Sequence, residues 1–512
     1  MFAAHEADAA GAVRGPLPTR AAALDALRGL AILTMALSGM IPFGVQADGT
    51  HLPAWMYHAQ VPPPAHKFNP DLPGLTWVDL VFPFFLFSMG AAIPLALSAR
   101  LARGVSRWHL AGHSLRRGLL LLIFALYVDH IVPAKIQSPP DSRTWWLGLL
   151  GFALLFLALT RLPARWPSRL RAMVRILGGA GMVAFVVLTR YRDGGGLSLA
   201  WHDFDAALAD INRVAARSDI IIVVLANTVV TGSLIWLVTR HEPALRLGFM
   251  LAVIGVRLAH VPDGWVQAVW NWTPVPALYR LYFQQYLLIV LPGTLVGDLL
   301  LEWQHAREAG AARSPAQADS ALWSRVRFLG MVLLMPALSI LICAGLQARW
   351  LPWTTFCAAA LCAAGARLFT RPADALARLL RRLYTWGVLW LMVGLVFEAY
   401  EGGIKKDHPT VSYYFVTSGL AIFALVFFTV LIDVFHAGRW LWLLIDSGQN
   451  PMIAYAGVRN FVAPVFHLTG LEAWLGRVLA TPWLGVLRGL IKTLALSAAV
   501  SVCTRLRVYW RT

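Results

Sequence analysis

Residues 74–90 read GLTWVDLVFPFFLFSMG, an apolar run with one acidic residue, Asp79, near its beginning. A helix needs about 20 mostly apolar residues to cross the hydrocarbon core of a bilayer, and this run continues to residue 99. A carboxylate beside hydrocarbon is costly, and such groups are usually functional. The stretch therefore predicts a membrane helix that carries a functional residue in its first turns.

The rest of the chain repeats this apolar pattern. Of its 512 residues, 58% are hydrophobic and 14% are charged, a composition that soluble domains seldom show. We therefore predict an all-α, polytopic bundle of about 12–14 membrane helices, forming a single domain over 24–510 after a short tail, 1–23. The predicted segments are 24–43, 77–99, 113–132, 143–161, 172–190, 219–239, 243–260, 281–301, 326–346, 351–369, 383–400, 411–434, 441–466 and 487–504.

The net charge of +18 comes mostly from arginines in short loops between the apolar runs. Because such loops are usually cytoplasmic, the distribution places both termini in the cytoplasm and argues against nucleic-acid binding. We expect a multi-pass protein of a bacterial inner membrane, surrounded by the lipid bilayer, with loop 44–76 in the periplasm. Segment 302–325, which is small, polar and charged, is predicted to be a cytoplasmic linker loop. The four cysteines lie in apolar runs without paired spacing, so we predict no metal site.

Loop 44–76 carries His58, His66 and Asp71 among prolines that stiffen it. Histidine titrates near neutral pH, so it can take a proton from an attacking hydroxyl or amine, or carry an acyl group. Asp79 could orient such a histidine, while His58 and Asp71 could contact a substrate. The alternative is that these histidines only form hydrogen bonds within a folded loop.

A second loop on the same predicted side, 398–410, is dense in charge. Lys405, Lys406 and His408 could hold an anionic or polyol substrate there. The alternative is an ordinary solvated face.

Two polar features interrupt the membrane segments. Asp25 and Arg28 are three residues apart and share one helical face, so they form an ion pair or belong to a phosphate site with Arg116 and Arg117. Further along, Asn450 lies in a polar break inside an apolar run. Broken backbone at membrane depth lines a cavity or is buried in protein, so Asn450 either faces a substrate or satisfies free backbone groups in a tight turn.

Two motifs, LDALRG at 24–29 and GLT followed by DLVFPFFLF at 74–87, together with QNPMI at 449–453, resemble the heparan-α-glucosaminide N-acetyltransferase family, and especially its bacterial NagX-like branch. The resemblance implies transfer of acetyl from cytoplasmic acetyl-CoA to an amino sugar or related saccharide across the membrane. It also implies a central histidine before the GLT motif. A homodimer is suggested only by analogy.

The family's histidine position falls on Asn69 when the residues are counted back from Gly74. We therefore predict that His66, three residues earlier, serves instead, with Asp79 and Asn450 beside it; the alternatives are His58 or loss of activity. Acetyl-CoA would bind near Asp25, Arg28, Arg116 and Arg117. The competing functional class is a membrane transporter of an amino sugar such as N-acetylglucosamine.

Overall fold

The computed structural model describes residues 21–42, 49–162, 166–192, 194–197, 204–259, 264–273, 275–311 and 323–510. Over these ranges the secondary structure is helical, without a strand longer than an isolated bridge. This confirms the predicted fold class. Most of the predicted tail, 1–23, lies outside the described residues.

Each of the fourteen predicted segments contains helix. In chain order the helices are α1 (Ala22–Ser38), α2 (Trp77–Leu101), α3 (Arg107–His130), α4 (Ser142–Leu159), α5 (Ser168–Leu188), α6 (Ile220–Thr239), α7 (Pro243–Ala259), α8 (Leu287–Ala311), α9 (Arg325–Gln347), α10 (Leu351–Gly365), α11 (Ala375–Phe397), α12 (Val411–Thr429), α13 (Trp442–Gln449), α14 (Pro451–Gly457), α15 (Ala463–Leu468) and α16 (Pro482–Arg505). Short helices Phe204–Ala215, Trp265–Asn271 and Leu471–Val478 lie in the connections.

Ten helices of the described chain are long and apolar enough to cross a membrane. The other predicted spans are shorter or interrupted: α1 and α7 have 17 residues, α10 has 15, and the segment from 442 to 468 is broken into three pieces. Asn450 and Pro451 divide the first two pieces, and a π-helical turn, Val458–Val462, joins the last two. The chain is thus a multi-pass membrane protein with one discontinuous segment.

Successive helices alternate in direction, which defines two faces. We call the face that carries loop 51–76 the outer face, and the face that carries residues 102–106 the inner face. α2 begins at the outer face, and Asp79 and Thr76 form a capping box that satisfies its free N–H groups. This local motif fixes where the carboxylate lies.

The centre of the bundle is formed by α2, α8 and α12. In the most apolar stretch of α2, 83% of the residues are buried within the protein, against 17% in the same stretch of α5. Close contact between α2 and α8 requires glycine, because a Cβ on Gly90 would lie 2.3 Å from the carbonyl oxygen of Val290. α2 is therefore a rigid central helix, whereas α5 lies at the periphery.

The predicted linker 302–325 is wrong in its first part, because α8 continues through Glu302 to residue 311. Ion pairs hold the extension: Arg382 contacts Glu302, and Arg307 Nη1 lies 3.8 Å from Asp433 Oδ1. A charged helix that extends beyond the membrane has the same composition as a loop. The sequence therefore predicted a loop where the helix continues. Residues 312–322 lie outside the described residues.

Candidate functional site

Asp79 lies at the outer end of α2 and is completely buried. Its Oδ2 accepts hydrogen bonds from the backbone N–H of Ala59 (3.1 Å), and from the N–H (2.9 Å) and hydroxyl (3.1 Å) of Thr76. Tyr413 donates its hydroxyl to the Asp79 carbonyl at 2.8 Å. Within the described residues, Oδ1 accepts no hydrogen bond. One carboxylate oxygen is therefore fixed by the fold and the other remains available.

The histidine beside this available oxygen is His58. Its Nδ1 lies 3.5 Å from Asp79 Oδ1, and its Nε2 lies 3.0 Å from Asp407 Oδ2. The backbone N–H of Gln60 donates to Nδ1 at 3.0 Å, so Nδ1 is an acceptor and the ring proton is on Nε2, donated to Asp407. His58 thus lies between two carboxylates.

Loop 401–410 brings Asp407 to this site, and Gln60 holds the loop there. The Gln60 side chain is completely buried and bonds both backbone groups of Asp407: Nε2 donates to the carbonyl oxygen, and Oε1 accepts from the N–H at 2.8 Å. Gly74 also donates its N–H to the Ile404 carbonyl at 2.9 Å. The two outer loops therefore form one packed unit.

The charge of Asp407 is stabilised within this unit. Its partial burial opposes ionisation, but the hydrogen bond from His58 and the charges of Lys406, His58 and His408 outweigh burial and hold the pKa of Asp407 below its usual range. The group is an anion at neutral pH. It can therefore keep the His58 proton on Nε2.

The other predicted residues of loop 401–410 lie at different distances from the carboxylates. Lys406 Nζ is 3.9 Å from Asp79 Oδ1, so this lysine adjoins the site. His408 Nδ1 is 3.4 Å from the Tyr282 hydroxyl, at the edge of the same loop. The backbone N–H of Lys405 donates to the Thr410 hydroxyl at 3.1 Å, which stabilises the turn.

His66, the residue predicted to be catalytic, packs its ring edge-on against Tyr57, with the ring centroids 4.6 Å apart. Its backbone is left-handed, with φ of 47°. Burial, and then the nearby His51, lowers the pKa of His66, so the neutral ring is favoured. Asp79, which we expected beside His66, is paired with His58.

Asn69 and Asp71 shape the same loop. The Asn69 side chain accepts the Asp71 N–H at 3.0 Å, and the Asn69 backbone N–H donates to the Gln60 carbonyl at 2.8 Å. Asp71 itself is exposed. Asn69, the position at which the family would have its histidine, is thus part of a turn.

At the inner half of the bundle, Asp25 and Arg28 form the intrahelical contact that their spacing allowed, with Nη1 3.5 Å from Oδ1. Arg28 also donates to two backbone carbonyls, those of Gly448 (3.2 Å) and Ser88 (3.4 Å). The arginine therefore links three helices.

Arg116 and Arg117 line a cleft of about 710 Å³ at the inner face. The inner ends of α3, α4 and α5 form it. Its basic lining residues are His113, Arg116, Arg117, Arg161, Arg171 and Arg175. Among the described residues no acidic side chain lines the cleft, so it is suited to a ligand with several negative charges. Arg28 is not among its lining residues.

Comparison with known proteins locates these features in a family. The family model described as a domain of unknown function, DUF5009, matches residues 20–300, which is more than half of the chain. The chain belongs to the DUF5009 family. The match includes α2, His58, Asp79 and the basic cleft, while Asp407 and Asn450 lie beyond it.

This DUF5009 protein also has a distant curated relative. Heparan-alpha-glucosaminide N-acetyltransferase of Homo sapiens is 33% identical over 113 residues, which is 22% of this chain. The alignment covers only 14% of the human protein. The similarity supports the predicted relation at family level over that segment, and the bacterial branch stays a prediction.

Asn450 lies apart from the outer site of the DUF5009 protein. Its Nδ2 donates to the Val508 carbonyl at 2.6 Å, and its Oδ1 accepts from the Trp510 N–H at 3.4 Å. These partners follow α16 at the inner face, whereas His58 is at the outer face. Asn450 thus satisfies free backbone groups, which was the alternative to facing a substrate. The structure does not bring it together with His58 or His66.

Sequence reasoning did not identify Gln60 and Asp407 as site residues. Asp407 is 349 residues from His58 in the chain, so local spacing gives no sign of their contact. Gln60 follows His58 closely in an otherwise apolar and proline-rich stretch. A lone amide in such a stretch is the one signal that could have indicated a buried clamp.

Proposed function

We propose that this protein is a membrane-embedded acetyltransferase that takes acetyl from acetyl-CoA at the inner face and transfers it to a saccharide acceptor at the outer face. One observation supports this most: His58 is held between Asp79 and Asp407 at the outer end of the central helix. The local similarity to an N-acetyltransferase agrees with it.

His58 is the group that takes the acceptor's proton in this proposal, in place of His66. Nε2 already carries a proton, so the incoming proton must go to Nδ1, and the Gln60 N–H that donates to Nδ1 at 3.0 Å must release it. Protonated Nδ1 could then donate to Asp79 Oδ1, which is 3.5 Å away. Asp79 and Asp407 flank the ring, so the imidazolium formed by this transfer has a carboxylate beside each nitrogen.

In the direct route, one bond to the acetyl carbon forms and one breaks. The acceptor's amine or hydroxyl attacks the thioester carbon, the new C–N or C–O bond forms, and the C–S bond breaks. His58 takes the proton and returns it to the leaving thiolate. In the two-step route Nδ1 attacks the thioester carbon and the C–S bond breaks; the acceptor then attacks the acetyl carbon, the bond to Nδ1 breaks, and the freed Nδ1 takes the acceptor's proton and passes it to the thiolate.

The basic cleft supports the donor side. Coenzyme A carries phosphates, and guanidinium groups bind phosphate oxygens bidentately. Arg116 and Arg117 lie in this cleft with three further arginines. The cleft opens at the inner face, and Asp79 lies at the outer end of α2. The donor's thioester arm must therefore cross much of the hydrocarbon core, which is about 30 Å thick.

A transporter of an amino sugar is the second candidate, because the broken segment from α13 to α15 resembles the discontinuous helices of transporters. Accumulation of labelled sugar in proteoliposomes without acetyl-CoA would favour it.

The deciding experiment incubates protein in proteoliposomes with labelled acetyl-CoA and with glucosamine or N-acetylglucosamine. We expect labelled sugar from the wild type, loss of at least about a hundredfold for His58→Ala, since positioned acid–base groups contribute about 10²–10⁴, and a smaller loss for His66→Ala. If His66→Ala abolishes transfer and His58→Ala does not, the catalytic assignment is wrong. If no acetylated product forms, the proposed activity is wrong.

A further inference from the structure

A groove between α4 and α5 opens toward the outer face, away from the features discussed above. Its volume is about 780 Å³, and its apolar lining residues are Leu147, Leu150, Leu154, Ala184, Phe185 and Leu188. Both helices lie at the periphery. Only 28% of the most apolar stretch of α4 and 17% of that of α5 are buried within the protein. The groove therefore borders the bilayer.

The groove is closed at its inner end and open at its outer end. A Cβ on Gly178 would lie 2.6 Å from the backbone nitrogen of Ala158, so the two helices touch there. Leu154 packs against Gly181 at the bottom of the groove. From Leu154 to Arg143 is eleven residues of helix, or about 16 Å. This depth matches one leaflet, which is about half of a 30 Å hydrocarbon core.

Arg143 and Arg190 lie at the mouth of the groove. Both side chains are exposed, and across the described ranges neither is paired with a carboxylate. Asp141, which accepts the Thr144 N–H at 2.8 Å as the cap of α4, is close enough to interact with the charge of Arg143. Among the described residues, the mouth therefore carries two cations against one carboxylate and is positive overall.

Their position is unusual for membrane proteins. Arginines gather on one side of a membrane, and here that side is the inner face with its basic cleft. Arg143 and Arg190 are on the opposite side. A basic pocket above an apolar groove is the arrangement that binds an anionic lipid head group.

We propose that this groove binds an anionic glycerophospholipid of the outer-face leaflet, with its phosphate between Arg143 and Arg190 and an acyl chain along α4 and α5. Free phosphate would account for the arginines but not for an apolar groove one leaflet deep. The proposal is independent of acetyl transfer and concerns a separate surface.

Native mass spectrometry of the purified full chain tests it, with phosphatidylglycerol and phosphatidylcholine of identical acyl chains. We expect the wild type to bind phosphatidylglycerol more tightly, and Arg143→Gln/Arg190→Gln to weaken that binding by about tenfold or more while leaving phosphatidylcholine unchanged. Ala184→Trp, which fills the groove, should weaken binding of both lipids.

Arg103→Gln/Arg107→Gln is the matched control, because these arginines are exposed and lie at the inner face. It removes the same charge and should leave lipid binding unchanged. Equal affinity of wild type and the Arg143/Arg190 variant, or an equal loss in the control, would overturn the proposal. Displacement of phosphatidylglycerol by millimolar inorganic phosphate alone would show a phosphate site instead of a lipid site.

Discussion

Gln60→Ala is the sharpest test of the outer loop unit. The substitution removes three hydrogen bonds: those of Nε2 to the Pro70 carbonyl (2.9 Å) and the Asp407 carbonyl, and that of the Asp407 N–H to Oε1 (2.8 Å). The bond to Pro70 lies within loop 51–76, so only the two bonds to Asp407 join the loops. Each is worth about 1 kcal/mol net, so loop 401–410 should lose about 2 kcal/mol of its local stability. The opening equilibrium should rise by about thirtyfold.

Hydrogen exchange measures this directly. The Gly74 amide donates to the Ile404 carbonyl, so it exchanges only when the two loops separate. We expect it to exchange about thirtyfold faster in Gln60→Ala than in the wild type. Amides in the centre of α2 should keep their rates, because the helix does not depend on the loop.

Asp71→Ala is the control in the same loop. Its side chain is exposed, and the hydrogen bond of Asp71 to Asn69 uses the backbone N–H. Exchange at Gly74 should stay within a few-fold of the wild type. If Gln60→Ala exchanges no faster than Asp71→Ala, Gln60 does not clamp the loops and the reasoning fails.

Three further variants test other contacts. Gly448→Ala places a Cβ 1.8 Å from the Asp25 carbonyl oxygen, and the overpacking should cost about 1–3 kcal/mol or more, seen as a lower unfolding temperature in detergent. Arg246→Met leaves the partly buried Asp298 without its 2.6 Å partner, although Trp236 still donates to it at 3.0 Å, and should cost up to about 3 kcal/mol, while Arg246→Met/Asp298→Leu should recover most of it. Burial lowers the pKa of His66, so the unfolded chain binds the proton first and wild-type stability should fall as pH drops below about 6.5. His66→Gln should reduce this slope.

Each variant has a matched comparison. Gly255→Ala enters open space and should not lower the unfolding temperature, so a similar loss in both glycine variants would contradict the packing argument. A double variant no more stable than Arg246→Met would contradict the isolated-charge argument. An unchanged slope in His66→Gln would show that another group titrates.

Hydropathy was sufficient for the fold because membrane thickness sets a length that apolar runs must match. It failed at Glu302–Ala311, where α8 leaves the apolar region and is stabilised by ion pairs instead. The break at Asn450 was predicted from its polar residues, but its partners near Trp510 were not. Hydropathy reports where the chain meets lipid and not which side chains meet each other.

The site was predictable only in part. Asp79 was expected to lie beside a histidine, since a carboxylate at a helix start needs a partner, and it does. The choice between His58 and His66 depended on the path of a proline-rich loop, which local spacing does not specify. The second carboxylate, Asp407, comes from a loop in the last quarter of the chain.

The contact of Asn450 with Val508 and Trp510 has a consequence for biosynthesis. Its partners are 58 and 60 residues later in the chain, so they do not yet exist when α13 and α14 leave the ribosome. Until α16 has been inserted and the following residues have folded back, the amide and the broken helix must remain hydrated or be shielded by another factor. The order of synthesis therefore delays the stabilisation of this segment until residue 510 has been made, and a pause before that point would prolong its exposure to quality-control proteases.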